Sequence, residues 1–310
     1  MVYSASFKNY SIIVLVFVFL VIIAGGIVRM TQSGMGCPDW PKCFGMWVPP
    51  TNASQLPDNY TSYLKQQDID HTFNVYHTWT EYINRLIGAL LGILLLIQLG
   101  WGIALFWKKN KTIVWFCLAT VLLTGFQGWL GKRVVDANLA TAKITTHMLV
   151  ALIIAVLALT IVYLQKTNSA IANKKVKTFA GFALLLLTVQ IILGTGVREQ
   201  IDAISKSLQY TNRNFWIEKL DIVFYIHRSF SLLIAALCMY MYVQLKKTNT
   251  IHNGIKLVII SVFAEIIIGI IMAYVSIPAI AQPLHLLFST LLFVSLFYCW
   301  LINTTIGKQA

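Results

Sequence analysis

Residues 82–107, YINRLIGALLGILLLIQLGWGIALFW, decide the fold of this 310-residue chain. Arg85 is the only charged residue in the stretch, which is long enough to cross the hydrocarbon core of a bilayer as an α-helix. Hydropathy indicates eight such runs, and inside lipid a helix is the element that satisfies its own backbone hydrogen bonds. The predicted spans are 10–28, 83–107, 112–131, 145–164, 178–197, 222–245, 255–275 and 284–304.

The composition and the charge pattern agree with a membrane protein. Hydrophobic residues make up 58% of the chain and charged residues only 11%, which excludes a soluble globular protein. Lysines cluster in the even-numbered connections (108–111, 166–177 and 246–256), whereas ten of the eleven carboxylates lie in the odd-numbered ones. The positive-inside rule therefore predicts a multi-pass protein of the cell (inner) membrane with both termini in the cytoplasm. The net charge of +13 is a topology signal, so no nucleic-acid partner is expected.

The chain contains an internal repeat. The motif Tyr-Ile-Asn-Arg around Asn84 returns as Tyr-Ile-His-Arg around His227, 143 residues later. About 60 residues beyond each motif a histidine opens another apolar run; these are His147 and His285, which lie 138 residues apart. The repeat predicts an all-α integral membrane protein whose eight transmembrane helices form two pseudo-symmetric four-helix bundles.

The repeat also predicts where the halves divide. Residues 1–165 form an N-terminal four-helix half and residues 166–310 a C-terminal one. The end of the first run, GGIVR up to Arg29, resembles the end of the fifth, GTGVR up to Arg198. In this topology all four motif positions lie at one depth, near the outer face of the membrane.

Histidines at the ends of paired membrane helices can hold a haem iron from both faces. Ionisable groups inside a membrane are costly and mark function, so we expect His227 and His285 to be axial haem ligands. The alternative for a single intramembrane histidine is a hydrogen-bonded role in helix packing.

Four arginines are candidates to neutralise the carboxylates at the rim of a haem. Arg85 and Arg228 directly follow the repeated motif positions, and Arg29 and Arg198 have weaker support. One step along a helix turns a side chain by about 100°, so Arg228 points away from the direction of His227 and toward the rim. Snorkelling to the lipid headgroups is the alternative for such side chains.

The two halves differ at the motif itself. Asn84 stands where the repeat predicts histidine, and Glu81 lies three residues earlier on the same helix face, where the second half has Phe224. His77 lies a further turn outward, so only a bent chain would bring it to the iron. The first half thus offers His147 as a ligand, an open or weakly occupied opposite side, and a carboxylate that can accept a proton.

The connection at residues 29–81 is long and rich in aromatic and polar residues, which favours a lid or functional loop. Its Gly-Met-Gly at 34–36 follows a membrane helix and carries little weight as a nucleotide motif. Cys37 and Cys43 are predicted to form a disulfide, because their loop lies on the oxidising face of the membrane. Metal binding is the alternative, but the sequence offers no third ligand nearby.

These features together resemble the haem A synthase family, membrane enzymes that convert haem O to haem A. The resemblance covers essentially the whole chain and rests on four segments. They are GGIVR ending at Arg29, GMGCPDWPKC at 34–43, EYINR at 81–85, and the histidines at 147, 227 (followed by Arg228) and 285.

The resemblance implies an oxidoreductase that oxidises a methyl group of haem O to a formyl group by successive hydroxylations. It implies a haem B cofactor in the C-terminal half, on His227 and His285, with electrons leaving through it. It places the substrate haem O in the N-terminal half, near His147, and implicates Glu81 in catalysis. Possible partners are the farnesyltransferase that makes haem O and an electron acceptor.

Two other classes remain open. A dihaem membrane cytochrome for electron transfer would favour four histidines and haems at different depths. A transporter, suggested by the repeat alone, would favour polar groups at the midplane, where only Glu265 fits. Glu265 is otherwise read as a hydrogen-bonded packing residue.

Overall fold

The computed structural model describes residues 4–65, 72–137, 139–165 and 173–304. Part of the lysine-rich connection predicted between the halves (166–172) lies outside them. Eight helices in the described residues are long and apolar enough to cross a membrane, which confirms the predicted all-α membrane fold. They are α1 (Ala5–Met30), α3 (Val75–Phe106), α4 (Lys111–Asp136), α5 (Thr141–Tyr163), α6 (Lys174–Ser207), α7 (Ile222–Lys247), α8 (Asn253–Tyr274) and α9 (Ala281–Ile302), with a short α2 (Tyr60–Lys65) between the first two.

The chain divides into two compact units, Met1–Gln165 and Lys166–Ala310. In the first unit α1 packs on α3, α3 on α4, α4 on α5, and α5 back on α1, which closes a four-helix bundle. In the second unit α6, α7, α8 and α9 close a bundle in the same order. Consecutive membrane helices thus lie side by side, as in an up-and-down bundle. Pseudo-symmetry between the two stays a prediction.

Two helices extend well beyond the predicted spans. α3 begins at Val75 instead of 83, and the side chain of Asn74 accepts hydrogen bonds from the backbone N–H groups of Tyr76 and His77. α6 continues to Ser207 instead of ending at 197. Hydropathy detects only the apolar part of a helix, so polar turns at its ends escape the prediction. As a result His77, Glu81 and Asn84 all lie on one continuous helix.

The connection between α1 and α3 has a small core of its own. Cys37 and Cys43 form the predicted disulfide and are fully buried together with Phe44. Aromatic and aliphatic side chains pack around them: Met46, Leu56, Tyr60, Tyr63, Phe73 and Tyr82. Tyr82 belongs to α3, so this core fixes the connection directly onto the helix that carries Glu81.

Candidate functional site

His227 of α7 is held in place by two residues of α6. The side-chain amide of Gln190 donates a hydrogen bond to the backbone carbonyl of His227 at 2.8 Å. Gly194, one turn further along α6, faces the imidazole so closely that a Cβ there would lie 3.0 Å from Cε1 of His227. The glutamine therefore fixes the backbone, and the glycine leaves room for the ring.

His285 of α9 faces His227 within the same unit. The two ring centres are 6.5 Å apart and the rings are inclined by 73°. Two imidazoles that bind one metal ion from opposite sides, with metal–nitrogen bonds of about 2.0–2.1 Å, have ring centres about 6.4 Å apart. The spacing of His227 and His285 therefore suits a single ion between them.

The surrounding residues fit a haem iron better than an ion held by the protein alone. Nδ1 of His227 and Nδ1 of His285 are buried and have no aligned hydrogen bond to any described residue. Within the described part of the chain, no group of three or more His, Cys, Asp or Glu side chains is arranged to hold a metal ion. Two imidazole ligands would leave the remaining coordination of an iron to a porphyrin.

His147 of α5 is held in the first unit by the same pair of residue types. The side-chain amide of Gln127 in α4 donates to the backbone carbonyl of His147 at 2.9 Å. A Cβ on Gly131, one turn along α4, would lie 3.5 Å from Cε1 of the ring. We call such a Gln-x-x-x-Gly pair a histidine seat: Gln127 with Gly131 for His147, and Gln190 with Gly194 for His227.

The histidine seats were missed in the sequence. Each combines one amide and one glycine at i and i+4 in an otherwise apolar helix, which places both on one helix face. An amide in a membrane helix needs a partner, so this spacing is a partial signal. It is not sufficient by itself, because Gln98 and Gly102 of α3 have the same spacing and Gln98 donates to Ser11 instead.

Asn84 has no histidine seat opposite it. It lines a cleft of about 180 Å³ between α1 and α3, together with the apolar side chains of Ala24, Ile27, Ile83 and Ile87 and with Thr80. Its Oδ1 is buried without a hydrogen bond from any described residue. The position therefore presents a short polar group to a mostly apolar cleft.

Glu81 is buried, with 5% of its surface exposed, and both of its oxygens are engaged. Oε2 accepts a hydrogen bond from the backbone N–H of Cys37 at 2.7 Å. Oε1 lies 2.5 Å from a guanidinium nitrogen of Arg85, one turn further along α3. The predicted catalytic carboxylate is thus oriented by the disulfide loop and by its own helix.

Arg85 holds the disulfide loop as well as Glu81. Its guanidinium donates to the backbone carbonyls of Asp39 at 2.6 Å, Lys42 at 3.0 Å and Cys37 at 3.0 Å. The role predicted for Arg85 was at a haem rim; the structure places the guanidinium among these carbonyls. A charged donor shared by three carbonyls fixes the path of residues 37–42 over the start of α3.

The Gly-Met-Gly segment has a packing role that its sequence does not reveal. A Cβ on Gly36 would lie 2.4 Å from the carbonyl carbon and oxygen of His77, so only glycine allows this approach to α3. Thr78 reinforces the contact by donating from Oγ1 to the carbonyl of Gly36 at 2.9 Å. His77 itself lies in the first turn of α3, about two turns outward from Asn84.

The other predicted arginines lie at different places. The guanidinium of Arg228 lies 5.4 Å from the ring centre of Tyr225. Arg198 donates to the side chain of Gln282, and its Nε lies 2.9 Å from Asp202. Arg29 lies in the last turn of α1. Arg198 therefore reaches α9 one turn before His285, whereas Arg228 packs on aromatic rings.

The fold and the site define a class: a multi-pass membrane protein of two four-helix units, with histidines suited to haem iron. Comparison of the sequence with known families matches residues 8–297 to the model of the COX15-CtaA family, described as cytochrome oxidase assembly protein. The chain belongs to this family.

Several curated relatives carry the name "Heme A synthase". The one from Flavobacterium johnsoniae is 23% identical over 91% of this chain and 93% of its own length. The one from Brucella ovis is 27% identical over 87% and 83%. The one from Shewanella oneidensis is 31% identical over 68% of this chain and 62% of its own. The predicted resemblance to the haem A synthase family is confirmed.

Proposed function

We propose that this chain is a haem A synthase that oxidises a ring methyl group of haem O to the formyl group of haem A. Family membership and the names of the relatives make it an oxidoreductase of haem A biosynthesis. The proposal concerns the chemistry: two successive hydroxylations convert the methyl group to an alcohol and then to a hydrated aldehyde, which loses water. Each hydroxylation would take its oxygen from water and release two protons and two electrons, and the electrons would leave for the proposed electron acceptor.

One observation carries the proposal. The second unit has two facing imidazoles 6.5 Å apart, whereas the first unit has one seated histidine and Asn84 in place of the other. A haem with two imidazole ligands is retained and suits electron transfer. A haem bound on one side can enter and leave. A resident cofactor in one half and an exchangeable substrate in the other is what this reaction requires.

In the second unit, His227 and His285 would hold haem B, which supplies one-electron transfer when bound. Gln190 and Gly194 keep His227 in register for this role. Arg198 and Arg228 are proposed to neutralise the haem carboxylates. Arg198 is the better placed of the two, because it already contacts α9 through Gln282.

In the first unit, His147 would bind the iron of the substrate haem O, with Asn84 on the opposite side. Arg29, Arg85 and His77 are proposed to lie along its rim. Glu81 is proposed to take up a proton as the methyl group is oxidised. Its position supports this role, because the Cys37 amide and Arg85 hold the carboxylate in one orientation.

We place the protein in the cell (inner) membrane with both termini in the cytoplasm, as the distribution of lysines favours. The haem sites are then proposed to lie toward the outer face. The partners proposed are the lipid bilayer, the farnesyltransferase that produces haem O, and an electron acceptor. The halves 1–165 and 166–310 are proposed as the substrate unit and the cofactor unit.

Extraction and mass analysis of the haems test the proposal. The protein is purified from cells that also make haem O, with the His227→Ala variant as a control for the cofactor site. We expect haem B together with haem O, its hydroxylated form or haem A. Haem B alone, at two per chain and resistant to exchange, would instead establish a dihaem cytochrome. Absence of haem would exclude both.

A further inference from the structure

Glu265 has the sequence position in the second half that the seat amide Gln127 has in the first, and it is a carboxylate. Glu265 in α8 is followed four residues later by Gly269, as Gln127 is by Gly131. Glu265 precedes His285 by 20 positions, which is also the separation of Gln127 from His147. The two side chains therefore occupy the same place in the two sequence repeats, but one is an acid and the other an amide.

Glu265 lies directly beside His285. Its Oε2 is 3.1 Å from Nδ1 of the imidazole, and the two side chains are 15% and 29% exposed. The two atoms are at hydrogen-bonding distance, but their angle is not that of a hydrogen bond. Within the described residues, Nδ1 of His285 and Oε1 of Glu265 have no other hydrogen bond. A small rotation of the ring would let Nδ1 of His285 donate a hydrogen bond to the carboxylate of Glu265.

We propose that Glu265 is a positioning residue for His285, rather than the packing residue that its sequence context suggested. The inference rests on the proposed function, in which His285 binds haem B. Ligation through Nε2 leaves the proton on Nδ1, and Oε2 of Glu265 is the acceptor that faces it. A carboxylate partner fixes the tautomer and the orientation of a metal-bound imidazole and makes it a stronger ligand.

The counterpart in the first unit shows what the acid adds. The amide of Gln127 donates to the backbone carbonyl of His147 and leaves Nδ1 of that ring without an aligned partner among the described residues. Gln127 thus fixes the position of His147 without strengthening it as a ligand. Of the three proposed iron ligands, His285 is the one whose Nδ1 has a carboxylate of a described residue beside it, which suits the half proposed to retain its haem and pass electrons on.

A stronger axial ligand stabilises ferric over ferrous iron, so the carboxylate lowers the midpoint potential of the bound haem. Replacing Glu265 should raise that potential. An amide oxygen still accepts a hydrogen bond but more weakly, so Glu265→Gln should shift it less than Glu265→Leu. A residue that only fills space would leave the potential unchanged when its volume is preserved.

The test is an optical redox titration of the purified full-length protein, with low-spin EPR spectra of the same samples. For Glu265→Leu we expect the ratio of reduced to oxidised haem B at a fixed potential to rise about tenfold, or about 59 mV for one electron. Glu265→Gln should give an intermediate shift. Ser261→Ala is the control, since it alters another buried polar side chain one turn earlier on α8.

Glu265→Gln keeps the inference testable if Glu265→Leu does not retain haem. Loss of haem from the folded Gln variant also supports the proposal, because the two side chains differ in acceptor strength and not in size. A wild-type potential and EPR spectrum in Glu265→Gln and in any haem-containing Glu265→Leu would overturn it. A wild-type protein without low-spin haem would instead overturn the proposed function, and this inference with it.

Discussion

Glu81 and Arg85, one turn apart on α3, form a buried ion pair that is also the anchor of the disulfide loop. Their closest atoms are 2.5 Å apart, and each residue also hydrogen-bonds the backbone of Cys37. The proposed catalytic carboxylate and the disulfide are therefore parts of one rigid arrangement. Removing either member of the pair should release the loop, but only the loss of Glu81 should remove the proposed proton acceptor.

Replacement of Arg85 tests the role of the loop anchor. In Arg85→Gln the carbonyls of Asp39, Lys42 and Cys37 lose a charged donor, and we expect the free energy of unfolding to fall by about 2–4 kcal/mol. Denaturant titration in micelles measures the fall, and protease cleavage within 37–47 should become faster. Arg228→Gln is the matched control, since that guanidinium lies over the ring of Tyr225. Equal cleavage in both variants would contradict the anchor.

Replacement of Glu81 separates chemistry from structure. Glu81→Gln should retain haem B with an unchanged low-spin spectrum, while conversion of haem O falls by about 10²–10⁴-fold because the proton acceptor is lost. The measurement is the haem A content of cells that supply haem O. If Glu81 serves only to hold the loop, Glu81→Gln and Arg85→Gln will reduce conversion equally, and Glu81 will have no separate role in the reaction.

Substitution of one histidine at a time tests the proposed haem ligands. His227→Ala and His285→Ala should each remove the tightly bound low-spin haem signal, because a bis-imidazole site loses its geometry with either ring. Absorption and EPR spectra of the purified variants measure the loss. His252→Asn is a control histidine substitution at the N-cap of α8, where asparagine still accepts the hydrogen bond from Ile255. A normal low-spin spectrum in both alanine variants would refute the assignment.

The glycine of the second histidine seat gives a steric test. A methyl group at Gly194 would lie 3.0 Å from Cε1 of His227, so Gly194→Val should weaken haem B binding by about 1–3 kcal/mol through overpacking. Haem occupancy and the low-spin spectrum report the effect. The matched control is Gly25→Val in α1, where a Cβ has no described atom within 4 Å. Unchanged haem binding in Gly194→Val would show that the ring does not need this contact.

Much of the architecture was accessible from the sequence because lipid imposes simple rules. Apolar runs indicated all eight spans, and the predicted position of Cys37 and Cys43 on the oxidising face indicated the disulfide. The first eight residues of α3 were missed, since a polar helix end is stabilised by its cap at Asn74 rather than by hydropathy. That omission left the helical context of His77 open.

The contacts of the site were less accessible, because they depend on which helix faces which. Nothing local in the sequence shows that Arg85 turns toward the carbonyls of residues 37–42, or that Gly36 lies against the backbone of His77. Glu265 appeared as an isolated acid in an apolar helix until its neighbour across the bundle was known. Long-range packing, and not propensity, decides such contacts.

The absence of a histidine seat from α1 determines how many substitutions would turn a haem site with one histidine into a site with two. In the register that aligns Arg29 with Arg198, Gly25 matches Gly194, but Val21 stands where Gln190 would be. Asn84→His alone would therefore supply an imidazole without the amide that fixes its backbone. If the proposed function holds, permanent retention of a haem in this half would require two coordinated substitutions on different helices, so a single mutation does not readily turn the proposed turnover site into a storage site.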